Sequence, residues 1–198
     1  MTREPLPVTV VGGYLGAGKT TLVNHLLRSA DGRRIAVLVN DFGATPIDRD
    51  LIVATDGDTL EISGGCVCCS YGSDLMETLM ALPQQRPDVE RVVLEVSGVA
   101  LPGMVANAVT LLEPYRIDAI VVLADAETVE RQADDTYLGD TIQRQLAAAD
   151  LIVLNRCDLV DDIARNRAIA WLADQAPDAR VLPTTHARIA PELLIGLR

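Results

Sequence analysis

The stretch "VTVVGGYLGAGKTTLVNHLL", residues 8–27, decides the fold. It opens with a short apolar run, Val8–Val11, that suits a buried strand, and it closes in a helical pattern over Thr20–Arg28. Between them "GYLGAGKT", Gly13–Thr20, has the form G-x-x-x-x-G-K-[ST] in the strand-to-helix setting that gives this form its meaning. Gly13, Gly16 and Gly18, with Ala17 among them, let the backbone wrap closely and aim its N–H groups at phosphate oxygens. The helix that follows adds a favourable field at its N-terminus. Lys19 reaches the β- and γ-phosphates as a point charge, and Thr20, followed by Thr21, offers its hydroxyl to Mg²⁺. Lys19 is the single lysine of the chain, which uses arginine at its other cationic positions.

Outward from this loop, apolar runs rich in branched residues recur at Ile35–Val39, Val92–Val96, Ala119–Leu123, Leu151–Leu154 and Arg180–Leu182. They lack polar alternation, as strands of a sheet buried on both faces do. A shorter stretch, Thr59–Ile62, alternates and reads as an added strand. Helical patterns fall between them at Ser73–Ala81, Gly103–Leu112, Thr141–Ala148 and Asp162–Ala173, with a short one after Pro191. Pro102 suits a helix start, and Pro83 and Pro114 suit helix ends. Strand–helix alternation throughout predicts one α/β domain over residues 1–198, doubly wound around a mostly parallel sheet. Ala44–Gly57 shows no period and reads as a loop. In such a sheet ligands bind at the carboxyl ends of the strands, so the loops after Val11, Val39, Val96 and Leu154 should converge.

The bulk composition agrees and excludes some classes of partner. The chain has 198 residues, 49% of them apolar and only 3% aromatic, so its core is aliphatic. A net charge of −11 without a basic run disfavours nucleic acid and anionic membranes. No segment approaches the ~20 apolar residues of a transmembrane helix, and the N-terminal apolar run leads straight into the glycine loop rather than a cleavage site. A cytoplasmic protein with reduced thiols is expected.

Three further strand ends carry chemistry. After Leu154, "NRCD" supplies Asn155, Arg156 and Asp158. A carboxylate at Asp158 can accept from N1 and N2 of guanine, and the Asn155 amide can donate toward N7 or O6. Adenine would set an acceptor against the carboxylate, so GTP is favoured over ATP. Asn and Asp after a strand also serve as turn and capping residues, and Cys157 reads as a buried thiol at the variable position. After the second strand, "VNDFG" places Asp41 to orient the attacking water or bind a metal. "LEVSG", Leu94–Gly98, places Glu95 to hold Mg²⁺ and the Gly98 N–H to approach the γ-phosphate. Asp48 is a further candidate for the Mg²⁺ shell. For Asp41 and Glu95 loop capping is an equal reading, and Asp125, which also ends a strand, reads as a helix cap.

Three of the four cysteines, Cys66, Cys68 and Cys69, crowd into "GGCVCC", residues 64–69. Cys66 and Cys68 share a side of an extended segment, and the paired glycines permit a bend that brings in Cys69. Three thiolates suit Zn²⁺ or another borderline cation, with a fourth position open or filled by Asp41, water or a client's ligand. Redox chemistry and inert thiols are the other readings. His25 and His186 are the only histidines, and His25 reads as a packing residue.

"GGYLGAGKTTLVNHLL", "VNDFG", "GGCVCC", "LEVSG" and "AADLIVLNRCDL" occur in the order seen in the CobW-type metallochaperone GTPases, relatives of the urease and hydrogenase maturation GTPases. The chain resembles that family over nearly its whole length. The resemblance implies a P-loop GTPase domain that hydrolyses GTP to GDP and delivers zinc, cobalt or a related metal to a client protein. It implies phosphate and Mg²⁺ roles for Gly13, Gly16, Gly18, Lys19, Thr20 and Thr21, metal ligation by Cys66, Cys68 and Cys69, and base reading by Asn155 and Asp158. A homodimer is compatible with it. The chain departs from the family in having Asp41 for the usual Glu and Arg156 for the usual Lys, and in ending where the GTPase domain should end, without the usual C-terminal domain. Two other readings stand beside it: a non-catalytic zinc-storage module in which nucleotide only orders the fold, and an ATP-dependent small-molecule kinase.

Overall fold

A computed structural model describes residues 4–29, 33–39, 59–61 and 73–194. The elements in chain order are β1 (Leu6–Gly13), α1 (Lys19–Arg28), β2 (Ile35–Val39), β3 (Thr59–Glu61), α2 (Ser73–Gln85), β4 (Arg91–Glu95) and α3 (Pro102–Val109). They continue as β5 (Tyr115–Asp125), α4 (Val129–Ala133), α5 (Gly139–Ala147), β6 (Leu151–Asn155), α6 (Asp162–Gln175) and β7 (Arg180–Pro183), with single 3₁₀ turns at Cys157–Leu159 and Pro191–Leu193.

The seven strands form one sheet in the order β3-β2-β4-β1-β5-β6-β7, and every described pair is parallel. The sequence reading of a mostly parallel sheet is thus met in full. Alternate residues of each strand serve opposite faces. Ala36 and Leu38 of β2 join one apolar cluster with Val8 and Val10, while Ile35, Val37 and Val39 join the other with Val11. Helices α2 to α6 contribute to the first cluster, through residues such as Leu79, Val105, Leu146 and Leu172. The second face is covered by Leu22, Val23 and Leu26 of α1 together with Ala187, Ile189 and Leu194. No helix among the described residues is long and apolar enough to cross a membrane.

Three elements differ from the sequence reading. Pro83 does not end α2, which runs on to Gln85. Proline has no N–H for the carbonyl four residues back, here that of Leu79. The hydroxyl of Tyr115 on β5 donates to that carbonyl instead, at 2.5 Å. A short helix, α4, lies where no helix was expected. Asp125 is not its cap: Thr128 holds that position, and Asp125 Oδ1 accepts from Glu127 N two residues on, an Asx-type turn. Finally, β5 is eleven residues long rather than five. Its register against β1 slips by one residue between Ile117 and Ala119, which leaves Asp118 as the extra residue of a bulge. Ile117 and Ile120 consequently reach the same cluster although three positions apart.

Candidate nucleotide site

The carboxyl ends of β1, β4 and β6 meet at one cleft of about 380 Å³, next to the point where the chain changes from one side of β1 to the other. Leu15, Gly16, Gly18, Lys19, Thr20 and Thr21 line one side, the loop of Glu95–Gly98 another, and Asn155, Arg156 and His186 the far end. The convergence expected of the loops after Val11, Val96 and Leu154 is therefore present, the loop after Val39 lies outside the described residues, and the cleft includes a residue, His186, that the sequence had not singled out.

The glycine loop owes its shape to φ values that side chains rarely adopt. Gly18 has φ 105°, and a Cβ there would lie 2.5 Å from Asn155 Nδ2. Gly13 (φ 123°) presses on the Leu123 backbone of β5. Gly16 and Gly18 line the cleft, and Gly13 and Ala17 do not. Lys19 is buried and its Nζ donates to the Tyr14 carbonyl at 3.3 Å, so the ammonium lies over its own loop.

Thr20 and Glu95 come together across the cleft. The Thr20 hydroxyl donates to Glu95 Oε1 at 2.7 Å, and Glu95 is only 5% exposed. Glu95 is placed by register: it ends β4 between Val11 of β1 and Val39 of β2. The next loop is held in turn. Ala100 N donates to the Ser97 carbonyl at 3.0 Å, and the buried Gln145 of α5 donates to the carbonyls of Gly98 (3.0 Å) and Ala100 (2.8 Å). Gly98 packs so closely on Leu15 that a Cβ there would come within 2.8 Å of the Leu15 amide nitrogen.

At the far end the structure shows what the residues of "NRCD" touch. Asn155 is buried and both ends of its amide are engaged: Nδ2 donates to the Ala17 carbonyl at 2.9 Å, and Oδ1 accepts from Ala187 N at 2.8 Å. It ties the glycine loop to the segment after β7 and lines the cleft between them. Arg156 lines the cleft, and its guanidinium pairs with Asp125 at 2.9 Å. Asp158 sits in the exposed 3₁₀ turn and is not among the lining residues. The half-buried Cys157 thiol donates to the Leu154 carbonyl at 3.2 Å, and burial pushes its pKa up. His25 Nε2 lies 3.1 Å from the Ile189 carbonyl, a packing role as the sequence suggested.

The non-glycine residues with positive φ among those described, Arg156 (60°), His186 (54°) and Ala187 (51°), all gather at this end. Left-handed backbone costs about 1–3 kcal/mol per residue and persists where surroundings enforce it, often at ligand sites. Here the Asn155–Ala187 bond and the Thr184 hydroxyl, which donates to the Arg188 carbonyl at 2.8 Å, enforce it. Composition offered no signal for His186. Its position two residues past Thr184, itself just beyond the end of β7, is the one clue a sequence reading holds. Asp41, Asp48, Cys66, Cys68 and Cys69 lie outside the described residues.

Comparison with known proteins agrees with this geometry. A zinc chaperone CobW of Pseudomonas aeruginosa is 32% identical across 99% of this chain and 61% of its own length. A zinc-regulated GTPase metalloprotein activator 1 of Schizosaccharomyces pombe is 29% identical across 95% of this chain and 48% of its own. The crystal structure of Zn(II)-bound YjiA GTPase from Escherichia coli superposes with a TM-score of 0.71 at 29% identity, covering 98% of this chain and 62% of that one. The chain thus spans about half to three fifths of the length of these relatives. The fold is that of a P-loop GTPase. Residues 7–183 match the model of the CobW/HypB/UreG nucleotide-binding domain, and the chain belongs to that family.

Proposed function

We propose that the protein is a GTPase whose nucleotide state governs the binding and delivery of zinc, or a related metal such as cobalt, to a client protein. The observation that carries the reading is the Thr20–Glu95 pair, 2.7 Å apart in a cleft floored by Gly16, Gly18 and Lys19. A hydroxyl and a carboxylate are hard oxygen donors that fit magnesium. Magnesium bound there would neutralise charge on the β- and γ-phosphate oxygens.

The chain's own residues supply the rest. The glycine-loop N–H groups and Lys19 grip the phosphates and stabilise the charge that develops on them. Water attacks the γ-phosphorus in line, the bond to the β–γ bridging oxygen breaks, and GDP leaves with that oxygen. Asp41 positions the attacking water, and the Gly98 N–H faces the γ-phosphate. Arg156 and Asp158 flank the base, and Asn155 holds their end of the cleft to the glycine loop.

The metal is cargo, held by the thiolates of Cys66, Cys68 and Cys69. Topology supports coupling. Glu61 at the end of β3 pairs in register with Val39, and Val39 with Glu95. Glu61, where β3 ends, therefore lies about 10 Å from Glu95, two strand spacings away.

The test is phosphate release from GTP and from ATP with Mg²⁺, with and without zinc. Wild type should turn over GTP in preference to ATP, and K19A should abolish turnover. T20A should lower it at least about tenfold through the loss of the hydroxyl. Turnover that survives K19A, or a preference for ATP, would refute the assignment.

A further inference from the structure

Ser97 is 4% exposed, lines the nucleotide cleft between Glu95 and Gly98, and has a hydroxyl with no hydrogen-bond partner among the described residues. Buried hydroxyls are nearly always paired, because an unpaired one carries the full cost of leaving water. The backbone around it is already committed: the Ser97 carbonyl accepts from Ala100 N, and the Gly98 carbonyl accepts from Gln145. The hydroxyl is thus held in a fixed loop with its donor unspent, its oxygen less than 1 Å² exposed in a residue of the cleft wall.

Which part of a ligand would meet it follows from the lining. Asn155, Arg156 and His186 mark the base end, and Gly16, Gly18 and Lys19 mark the body of the phosphate chain. Ser97 shares its loop with Gly98 and with Glu95, whose carboxylate meets Thr20, and on the magnesium reading of that pair a third phosphate would lie at this end. Glu95 repels an anion there, whereas a hydroxyl can donate to one. We propose that the Ser97 hydroxyl binds the terminal phosphoryl group of a nucleoside triphosphate, and so separates the triphosphate from the diphosphate. This rests on the nucleotide reading of the cleft given above.

The experiment compares dissociation constants of wild type and S97A for GDP and a non-hydrolysable GTP analogue, with ADP and an ATP analogue in parallel and melting temperatures throughout. S97A should bind the triphosphate analogue about tenfold more weakly, the energy of one charge-assisted hydrogen bond. Diphosphate affinity should hold within about twofold, and the melting temperature should stay or rise, since an unpaired buried hydroxyl is removed. A structural role predicts the reverse: both affinities fall together with the melting temperature. That result, or a triphosphate-to-diphosphate ratio equal to wild type, overturns the proposal. If wild type prefers adenine nucleotides, the guanine reading fails while the Ser97 ratio is still read from ADP and the ATP analogue. If wild type binds neither class, both fail.

Discussion

Asn155 joins two parts of the chain that the sequence holds far apart, with one bond to Ala17 and another to Ala187. N155A leaves a buried carbonyl and a buried N–H without their partner, at a cost of about 2–3 kcal/mol. In a domain of this size that should lower the melting temperature by roughly 5–10 °C. It should weaken GDP and a GTP analogue alike, because the brace serves the whole cleft. Calorimetry and titration on the same samples check both, and a loss confined to the base, seen as GTP and ATP becoming equal without destabilisation, would mean that the amide reads the base directly. The residue type and its place after β6 were legible in "NRCD". Its partners were not, since both lie on loops whose approach depends on how far β1 and β7 sit from β6 in the sheet. Cys157, two positions on, makes a smaller prediction. Burial raises its pKa, so the stability this thiol contributes is fully present below the ordinary thiol value near 8.5 and is lost as pH rises through the folded value. In a C66S/C68S/C69S background, alkylation of Cys157 at neutral pH should be slower in the folded protein than in denaturant. Equal rates would contradict its burial.

At the scale of elements, periodicity located the core strands and most helices, but the ends of elements obeyed partners in other elements. Pro83 shows why. Read locally it stops a helix, because its missing N–H strands the Leu79 carbonyl. The Tyr115 hydroxyl, 36 positions away, supplies the missing donor, and α2 continues to Gln85. Y115F keeps the ring and removes only that donor. It should cost about 1–2 kcal/mol, and amide exchange should rise most in the last turn of α2, where the helix now depends on proline-free hydrogen bonds alone. Exchange unchanged in that turn would show that the hydroxyl does not sustain the helix. The bulge in β5 was equally hidden. Asp118 is fully buried and pairs with Arg91 and Arg116, so the extra residue is stabilised by cations on β4 and on β5 itself. An aspartate inside an apolar run signals some such arrangement, yet nothing in the run reveals which arginines answer it. Gln145 is a third case: a glutamine in an amphipathic helix looks solvent-facing until its two carbonyl partners on the Glu95 loop are in view.

For the whole molecule, the parallel sheet makes the proposed coupling a matter of adjacency. Carboxyl ends of parallel strands lie on one side, so the glycine loop after β1, the Glu95 loop after β4 and the departure points of β2 and β3 share that side. This much was legible, because strand–helix alternation dictates it. Register fixes the distance: Glu61, Val39, Glu95 and Val11 form one row across four strands. Cys66 follows Glu61 by five residues, a tether of at most about 17 Å, longer than the ~10 Å between β3 and Glu95. On the proposed reading, a change at the γ-phosphate would act on the side of the sheet from which the chain departs toward the thiols. If it reaches them, zinc affinity must differ between the GDP and GTP states, and the factor is constrained by linkage. Zinc that binds tighter by some factor with a GTP analogue than with GDP must strengthen the analogue's preference over GDP by the same factor. Couplings of this kind run from about 5- to 150-fold. Four titrations close the cycle: zinc into each nucleotide complex, and each nucleotide into the protein with and without zinc. The two ratios should agree and exceed about fivefold, and both should collapse to one in C66S/C68S/C69S while the nucleotide affinities without zinc stay as in wild type. Ratios of one in wild type would mean that the metal and the nucleotide share a chain without sharing a switch.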